Sequence, residues 1–486
     1  MGFERDRGKL KILINAVSFF SKRFADPWFK NRTHGWGRVA IKYAPLAGIA
    51  LTGLLLRFWI ISEVGFNPKF FDLDGYHGMA IAGLSGPVPT DHHSPGYSWF
   101  LSAIYSCIGI HVRVVYVLQA FLGIASVLLV GWAAQRRYGM AGGCLAAALL
   151  SLSGYLSVFP SALVSENLCV PGVAVLTALL LPKAFFCGRP RLFVAAVVLG
   201  CLGLVRTAIL GLTPGLALLA AMDRKRDLSH FGRTVSVVVV LVAALLPAVV
   251  FGLVRYEREG FFRLGSPWDV YNLWVGNNPH ATGRIDPMPD IPQIGTAELP
   301  NEEARARLLG PRAWNYAFTH PIEEVVLVLK RLSYLFAPPK RDLIYIYGNG
   351  WAGEFSRSVI LKVYVWVASS APLLIVCILL ALGLKGGEPA YWVALLLVGL
   401  GLAPYMISIG DSRFLMPLYP LLAFAAGSLL RPAPLASGGM SRLVAAFLLV
   451  LFSVNAFLDL WVTQSALDAV MKPGGSQLFP PYHFAR

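Results

Sequence analysis

A chain of 486 residues with a mean hydropathy of +0.62, 56% apolar and only 14% charged side chains is not an ordinary soluble domain. A net charge of +16 does not make it a nucleic-acid binder either, because ten Lys and Arg crowd into residues 1–44 and further basic residues sit at the ends of apolar runs. That distribution belongs to a membrane protein held by positive charge at its cytoplasmic face.

Taken in order, the chain opens with the basic segment 1–44, in which residues 9–24 fit either an amphipathic surface helix or a solvated tail. The first apolar run starts too late for a cleavable signal peptide. It carries Arg57 as the sole charge between Lys42 and Glu63. Uncharged runs follow at 114–135, 138–165, 363–384 and 389–410. Each is near or above the roughly 20 residues that a helix needs to cross about 30 Å of hydrocarbon. Backbone in lipid must satisfy its own hydrogen bonds, so an all-α polytopic bundle is expected. The six cysteines form no CxxC pair, lie mostly within these runs and read as small buried hydrophobes.

Short basic turns orient the chain. Gln135-Arg136-Arg137, 183–191, 223–233, Lys385 and 431–442 all belong on the cytoplasmic side with the N-terminus. An even number of crossings between them pairs 138–165 with 167–182, 192–205 with 207–222, 234–254 with 358–384, and 389–410 with 414–430. Residues 443–463 then leave the C-terminus outside. Residues 96–110 are apolar enough to cross, but crossing there would put the basic turns from Arg136 to Arg233 outside. They are therefore placed flat at the outer interface, and the count is about eleven spans.

With this topology Asp72, Asp74, His77, His92, His93, Glu166, Arg206 and Arg413 converge on the extracytoplasmic face. Charges at a membrane edge are costly unless paired or used. Asp72 and Tyr76 share one side of a helix as i and i+4, and a carboxylate near a low-dielectric wall is a better general base. Helix capping over residues 75–84 is the alternative for Asp72 or Asp74. His92-His93 fits phosphate, metal or mere exposure, with no HExxH-like spacing to favour metal. Arg57, Arg206 and Arg413, at span ends, have the fork to hold two phosphate oxygens, with snorkelling the alternative for Arg57. Gly276, Asn277, Asn278 and Pro279 in "WVGNNPHATG" form either a rigid loop that hydrogen-bonds a polyol or simply a turn. Residues 302–336 show helical periodicity and are expected to cover the site.

The stretches "DLDGYHGMA", "HSPGYSWFL", "YVLQAFLGIASVLLVGWAAQRRYG", "SALVSENL", "LGLVRTAIL", "GNNPHATG" and "GDSRFLMPLYPL", in that order over about residues 45–430, resemble the family-39-type membrane glycosyltransferases of the GT-C fold. These are relatives of the lipid A aminoarabinose transferases and the protein O-mannosyltransferases. The resemblance implies sugar transfer from a polyprenyl-phosphate carrier on the extracytoplasmic side, usually with inversion. It places the catalytic carboxylate at Asp72, with Asp74 where many members carry another residue. The basic residue that leads a Pro-Pro motif falls at His93, with Ser94 replacing the first proline. The acidic residue after the third span falls at Glu166 and the Arg of the next outer turn at Arg206. The family pattern also places residues 96–110 in the membrane plane.

Together these readings give a cytoplasmic segment 1–44, a catalytic transmembrane module 45–254 with a first outer loop 65–112, an extracytoplasmic region 255–357, C-terminal spans 358–463 and an outer tail 464–486. The expected function is transfer of a lipid-linked sugar to a lipid, glycan or protein acceptor in the cell envelope, in the inner membrane and without nucleic acid. No motif demands a cofactor, and a divalent cation is left open. The rival reading is a transporter or flippase of a lipid-linked sugar. Transporters, however, carry their ionisable residues near the bilayer midplane and often show inverted repeats, whereas no internal repeat is evident here.

Overall fold

A computed structural model describes residues 33–63, 71–88, 93–182, 188–223, 230–260, 262–284, 302–336 and 389–430, with single positions 364, 367, 368, 375 and 450. Almost all of the expected span 358–384, the expected span 443–463 apart from Val450, the tail 464–486 and His92 lie outside the described residues. The chain divides into two compact units, Met1–Gly48 and Ile49–Arg486, and every residue singled out above for function is in the second.

Regular structure among the described residues is entirely helical. The helices are α1 (Thr33–Glu63), α2 (Phe71–Ser85), α3 (Pro95–Ile108), α4 (Val112–Ser151), α5 (Glu166–Leu180), α6 (Arg189–Val205), α7 (Thr213–Ala221), α8 (His230–Glu259), α9 (Pro267–Gly276), α10 (Glu302–Thr319), α11 (Pro321–Phe336), α12 (Pro389–Ile407) and α13 (Tyr419–Ala426). Five stretches among them are long and apolar enough to cross a membrane: Tyr43–Ser62, Val112–Ser151, Phe231–Arg258, Ala390–Ile407 and Ser412–Leu430. Val238, Val242, Leu246 and Val250 are exposed at every fourth position of α8. An apolar stripe of that kind faces lipid, where it loses nothing by being unburied.

The α4 stretch is two antiparallel limbs. Gly139 has φ 87°, in the left-handed region that glycine adopts without a Cβ clash, and there the helix breaks. A Cβ on Gly143 would lie 2.8 Å from the Gly131 carbonyl oxygen, which requires the chain to have doubled back. The reversal falls beside the basic turn at Arg136-Arg137 that the charge pattern marks.

The second limb differs from the expected helix over 138–165. It stops at Ser151, and residues 152–165 continue as a single helical turn at Gly154–Val158, a 3-10 turn at Phe159–Ser161 and irregular chain. Nearly all of this segment is buried, which is tolerable in a membrane protein only where other groups satisfy the backbone. Two side-chain amides do so. Gln119 Nε2 donates to the carbonyls of Pro160 and Ala162 at 2.9 and 3.0 Å, and Asn167 Nδ2 to those of Phe159 and Ala162, both at 2.9 Å.

These contacts give the bundle two chemically distinct ends. At one, Gly188 N donates to Asp223 Oδ2 at 3.0 Å and Arg189 Nη2 to the Gly232 carbonyl at 2.9 Å, so the flanks of two basic turns meet there. At the other, α5 begins, α6 ends and the turn after α12 arrives. That end gathers Glu166, Arg206 and Arg413.

Candidate active site

Glu166 is the first residue of α5 and is completely buried. Arg206, the residue after α6, donates from Nη1 to Glu166 Oε1 at 2.7 Å. Arg413 donates from Nε to the same oxygen at 2.6 Å and from Nη2 to Oε2 at 3.4 Å. Ser165 Oγ adds a bond to Oε2 at 3.3 Å. One carboxylate thus holds two guanidiniums. Both arginines keep an open edge, with side-chain exposures of 16% and 18%. Arg206 is aimed further by Tyr405, whose hydroxyl accepts from its Nε at 2.8 Å, and by the Phe414 ring 4.8 Å beneath its guanidinium carbon. Asp411, four residues after α12, caps the turn that presents Arg413 by accepting from its backbone N–H at 3.0 Å.

A second group stands at the same end. The His93 ring stacks on Tyr76 with centroids 4.4 Å apart and lies parallel to Trp268 of α9 at 6.4 Å. Tyr76 meets Tyr97 edge-on at 5.0 Å, and the Tyr97 hydroxyl donates to Gln119. The column is anchored on α2, the helix that carries Asp72 and Asp74. A Cβ on Gly75 would lie 2.8 Å from His93 Nε2, so the first turn of α2 accepts the imidazole only because residue 75 is glycine. The side chains of Asp72 and Asp74 lie outside the described residues; their backbone falls in this first turn. Ser94 Oγ bonds Thr207 Oγ1 at 3.3 Å, joining the His93 loop to the Arg206 turn.

Arg57 has a different placement from the span end and snorkelling expected of it. It is 1% exposed and its guanidinium donates to the carbonyls of Gly53, Ser151 and Leu150 at 2.9, 3.1 and 3.4 Å. It closes the end of the second α4 limb, where helix carbonyls have no partners of their own. Its Nε has no partner among the described residues and borders a cavity of about 20 Å³ shared with Gln119, Glu166 and Asn167. That is room for a single water molecule, and not for a phosphate. His77 bonds Tyr105 at 3.0 Å.

Asn277 and Asn278 are also buried, and the backbone occupies their amides. Asn277 Nδ2 donates to the carbonyls of Leu273 and Ile407 at 2.7 and 2.8 Å, while its oxygen accepts from Arg331 at 3.2 Å. Asn278 donates to Trp274 and Val275 and accepts from the His280 N–H. Of the two sequence readings, the turn is the one the geometry favours. Arg331, wholly buried on α11, also reaches Glu324, the Met406 carbonyl and the Gly276 carbonyl at 2.6, 2.7 and 2.7 Å. The loop is thereby clasped to the end of α12, with residues 302–336 forming two helices broken at His320-Pro321.

Several residues of this end were not singled out in the sequence. Gln119 left a signal, as an amide in an otherwise apolar run. Tyr405, Trp268 and Asp269 left none. Among the described residues, no group of three His, Cys, Asp or Glu converges as a metal ion would require.

No protein-family model matches the chain, and no curated protein matches it in sequence. Among solved structures it is similar to ArnT from Cupriavidus metallidurans bound to undecaprenyl phosphate, at 14% identity and a TM-score of 0.44, over 88% of this chain and 74% of that one. It is also similar to the archaeal oligosaccharyltransferase AglB from Archaeoglobus fulgidus in complex with an inhibitory peptide and a dolichol-phosphate. There the identity is 12% and the TM-score 0.39, over 90% of this chain and 56% of that one. Both likenesses are distant.

Proposed function

We propose that this chain is a GT-C-type membrane glycosyltransferase that moves a sugar from a polyprenyl-phosphate donor to a cell-envelope acceptor, at the end of the bundle that holds Glu166. The observation that carries the reading is the buried Glu166 carboxylate gripping Arg206 and Arg413 while each keeps an open edge. Two guanidiniums fixed in advance and partly exposed suit a phosphate leaving group, whose negative charge grows as the glycosidic bond breaks. The site end lies opposite the basic turns, which by the positive-inside rule supports an extracytoplasmic site. A transporter would gather its charges near mid-bundle; here they lie where α5 begins and α6 ends.

In the proposed reaction an acceptor hydroxyl oxygen attacks the anomeric carbon opposite the phosphate. The carbon–oxygen bond to phosphate breaks and its electron pair leaves on the phosphate, next to Arg206 and Arg413. Asp72, on the first turn of α2, takes the hydroxyl proton, and the anomeric centre inverts. Asp74 orients the acceptor or caps α2. Asp72→Asn keeps the shape and removes the base, so transfer should fall by on the order of a hundredfold or more while binding of a polyprenyl monophosphate is kept. If Asp72→Asn transfers at near the wild-type rate while Asp74→Asn or Glu166→Gln is dead, the base is that other carboxylate.

A further inference from the structure

Arg57 closes a helix end, but that duty accounts for only part of its side chain. Its Nη1 and Nη2 are taken by the carbonyls of Gly53, Ser151 and Leu150. Its Nε is buried and has no partner among the described residues. In a guanidinium that is 1% exposed, a donor left unmet is costly, so something must accept from it.

What accepts is limited by the cavity of about 20 Å³ that Arg57 borders. Gly123 lines the same cavity, and a Cβ added to it would lie 3.3 Å from Arg57 Nε. The missing side chain therefore keeps the space beside Nε open. Glu166, Asn167 and Pro171 line the cavity as well. Proline has no N–H, so the Asn167 carbonyl, four residues before Pro171 in α5, lacks the donor that an unbroken helix would supply. Glu166 Oε1 accepts short bonds from both arginines, at 2.7 and 2.6 Å. Its Oε2 has only long ones, at 3.3 and 3.4 Å. One open donor and two underused acceptors thus surround room for a single small molecule.

Charge and size select that molecule. Arg57 repels a cation, Glu166 repels an anion, and the volume excludes phosphate and sugar. Water can accept from Nε and donate twice, and about three hydrogen bonds are what a buried water typically makes. We infer that one bound water joins Arg57 Nε to Glu166 and the Asn167 carbonyl, which makes Arg57 a positioning residue for Glu166. Arg57 ties its own turn of α1 to the end of the second α4 limb. Through the water it also steadies the carboxylate that holds Arg206 and Arg413. The positioning role rests on the glycosyltransferase reading, whereas the water does not.

Cryo-EM of the full chain in nanodiscs, at a resolution that shows ordered waters, tests the site itself. The wild type should show one peak within hydrogen-bonding distance of both Arg57 Nε and Glu166, and Gly123→Ala should show none. A dry cavity, or a peak that misses Arg57 Nε, overturns the inference. Binding of a polyprenyl monophosphate then tests the positioning role. Alanine within a helix is ordinarily more stable than glycine, so a purely structural account expects Gly123→Ala to bind as the wild type does. Loss of a water-mediated link should instead weaken binding about fivefold, with the unfolding temperature unchanged or higher. Should Gly123→Ala not fold, Ser126→Val fills the same cavity at the cost of one bond, from Ser126 Oγ to the Leu122 carbonyl, and carries the same expectations. Wild-type affinity in a variant without the water, or a loss that appears only with a lowered unfolding temperature, makes the water a structural filler and overturns the positioning role. If the wild type itself does not bind the polyprenyl monophosphate, the proposed function fails instead, and the density still decides the water.

Discussion

Two buried arginine networks lie at the same end of this bundle, and they are built to different purposes. Arg331 is wholly enclosed, and its two terminal nitrogens are held by Glu324, Asn277 and the carbonyls of Gly276 and Met406. Arg206 and Arg413 share one carboxylate and stay partly open. Burial and an ion pair are common to both. What separates them is exposure: Arg206 and Arg413 reach an accessible surface and Arg331 does not, and that is the property a ligand needs. The motif-dense GNNP loop belongs to the closed network, and the site belongs to residues scattered over three turns.

The sharpest way to break this contrast is at Glu166. Glu166→Ala leaves two guanidiniums side by side with no carboxylate between them. Removing one partner of a buried pair costs on the order of 3–5 kcal/mol, and here two cations lose theirs. Thermal unfolding in detergent should show a loss of that size, and transfer should be abolished even in protein kept folded at low temperature. An unchanged unfolding temperature would mean that the cluster is not coupled as its geometry requires.

Arg331→Met probes the other side. The thioether chain fills much of the volume while stranding Glu324 and Asn277, so stability should drop by on the order of 3 kcal/mol. Turnover per folded molecule should stay within about threefold of wild type. Should turnover collapse while the unfolding transition barely moves, Arg331 would belong with the site and the contrast would fail.

The same contrast explains how much was legible in the sequence. The helices were, because uncharged runs of membrane length admit little else in lipid, and the reversal at Gly139 fell where two arginines marked a turn. The unwinding of 152–165 was not, since its apolar composition matches that of a helix and the decisive amides, Gln119 and Asn167, come from elsewhere in the chain. Glu166, Arg206 and Arg413 announced themselves as charges between short spans, and the structure brings them together. Arg57 announced itself equally, yet it closes a helix end deep in the bundle. A charge in an apolar run shows that something must satisfy it, without showing whether that partner is a ligand or a carbonyl. The amide nitrogens of Asn277 and Asn278 donate to backbone carbonyls, three of them within α9 itself and one, that of Ile407, 130 residues along the chain.

The smallest effect is expected at Tyr405, and it measures how finely Arg206 is aimed. The hydroxyl accepts from Arg206 Nε at 2.8 Å, while the Tyr405 and Phe414 rings lie 5.6 and 4.8 Å from the guanidinium carbon. Tyr405→Phe removes the hydrogen bond and keeps both rings. The cation–π contacts and the Glu166 pair should therefore hold Arg206 near its place. One hydrogen bond contributes about 1 kcal/mol net, and a factor of ten in affinity corresponds to about 1.4 kcal/mol. Affinity for a polyprenyl monophosphate should thus fall about fivefold, with thermal unfolding almost unchanged. A fall beyond a hundredfold would mean that the hydroxyl itself touches the phosphate, and no change would mean that Glu166 alone aims Arg206. Either result would redraw the open network, because it would move the boundary between the groups that hold the arginine and the groups that hold the ligand.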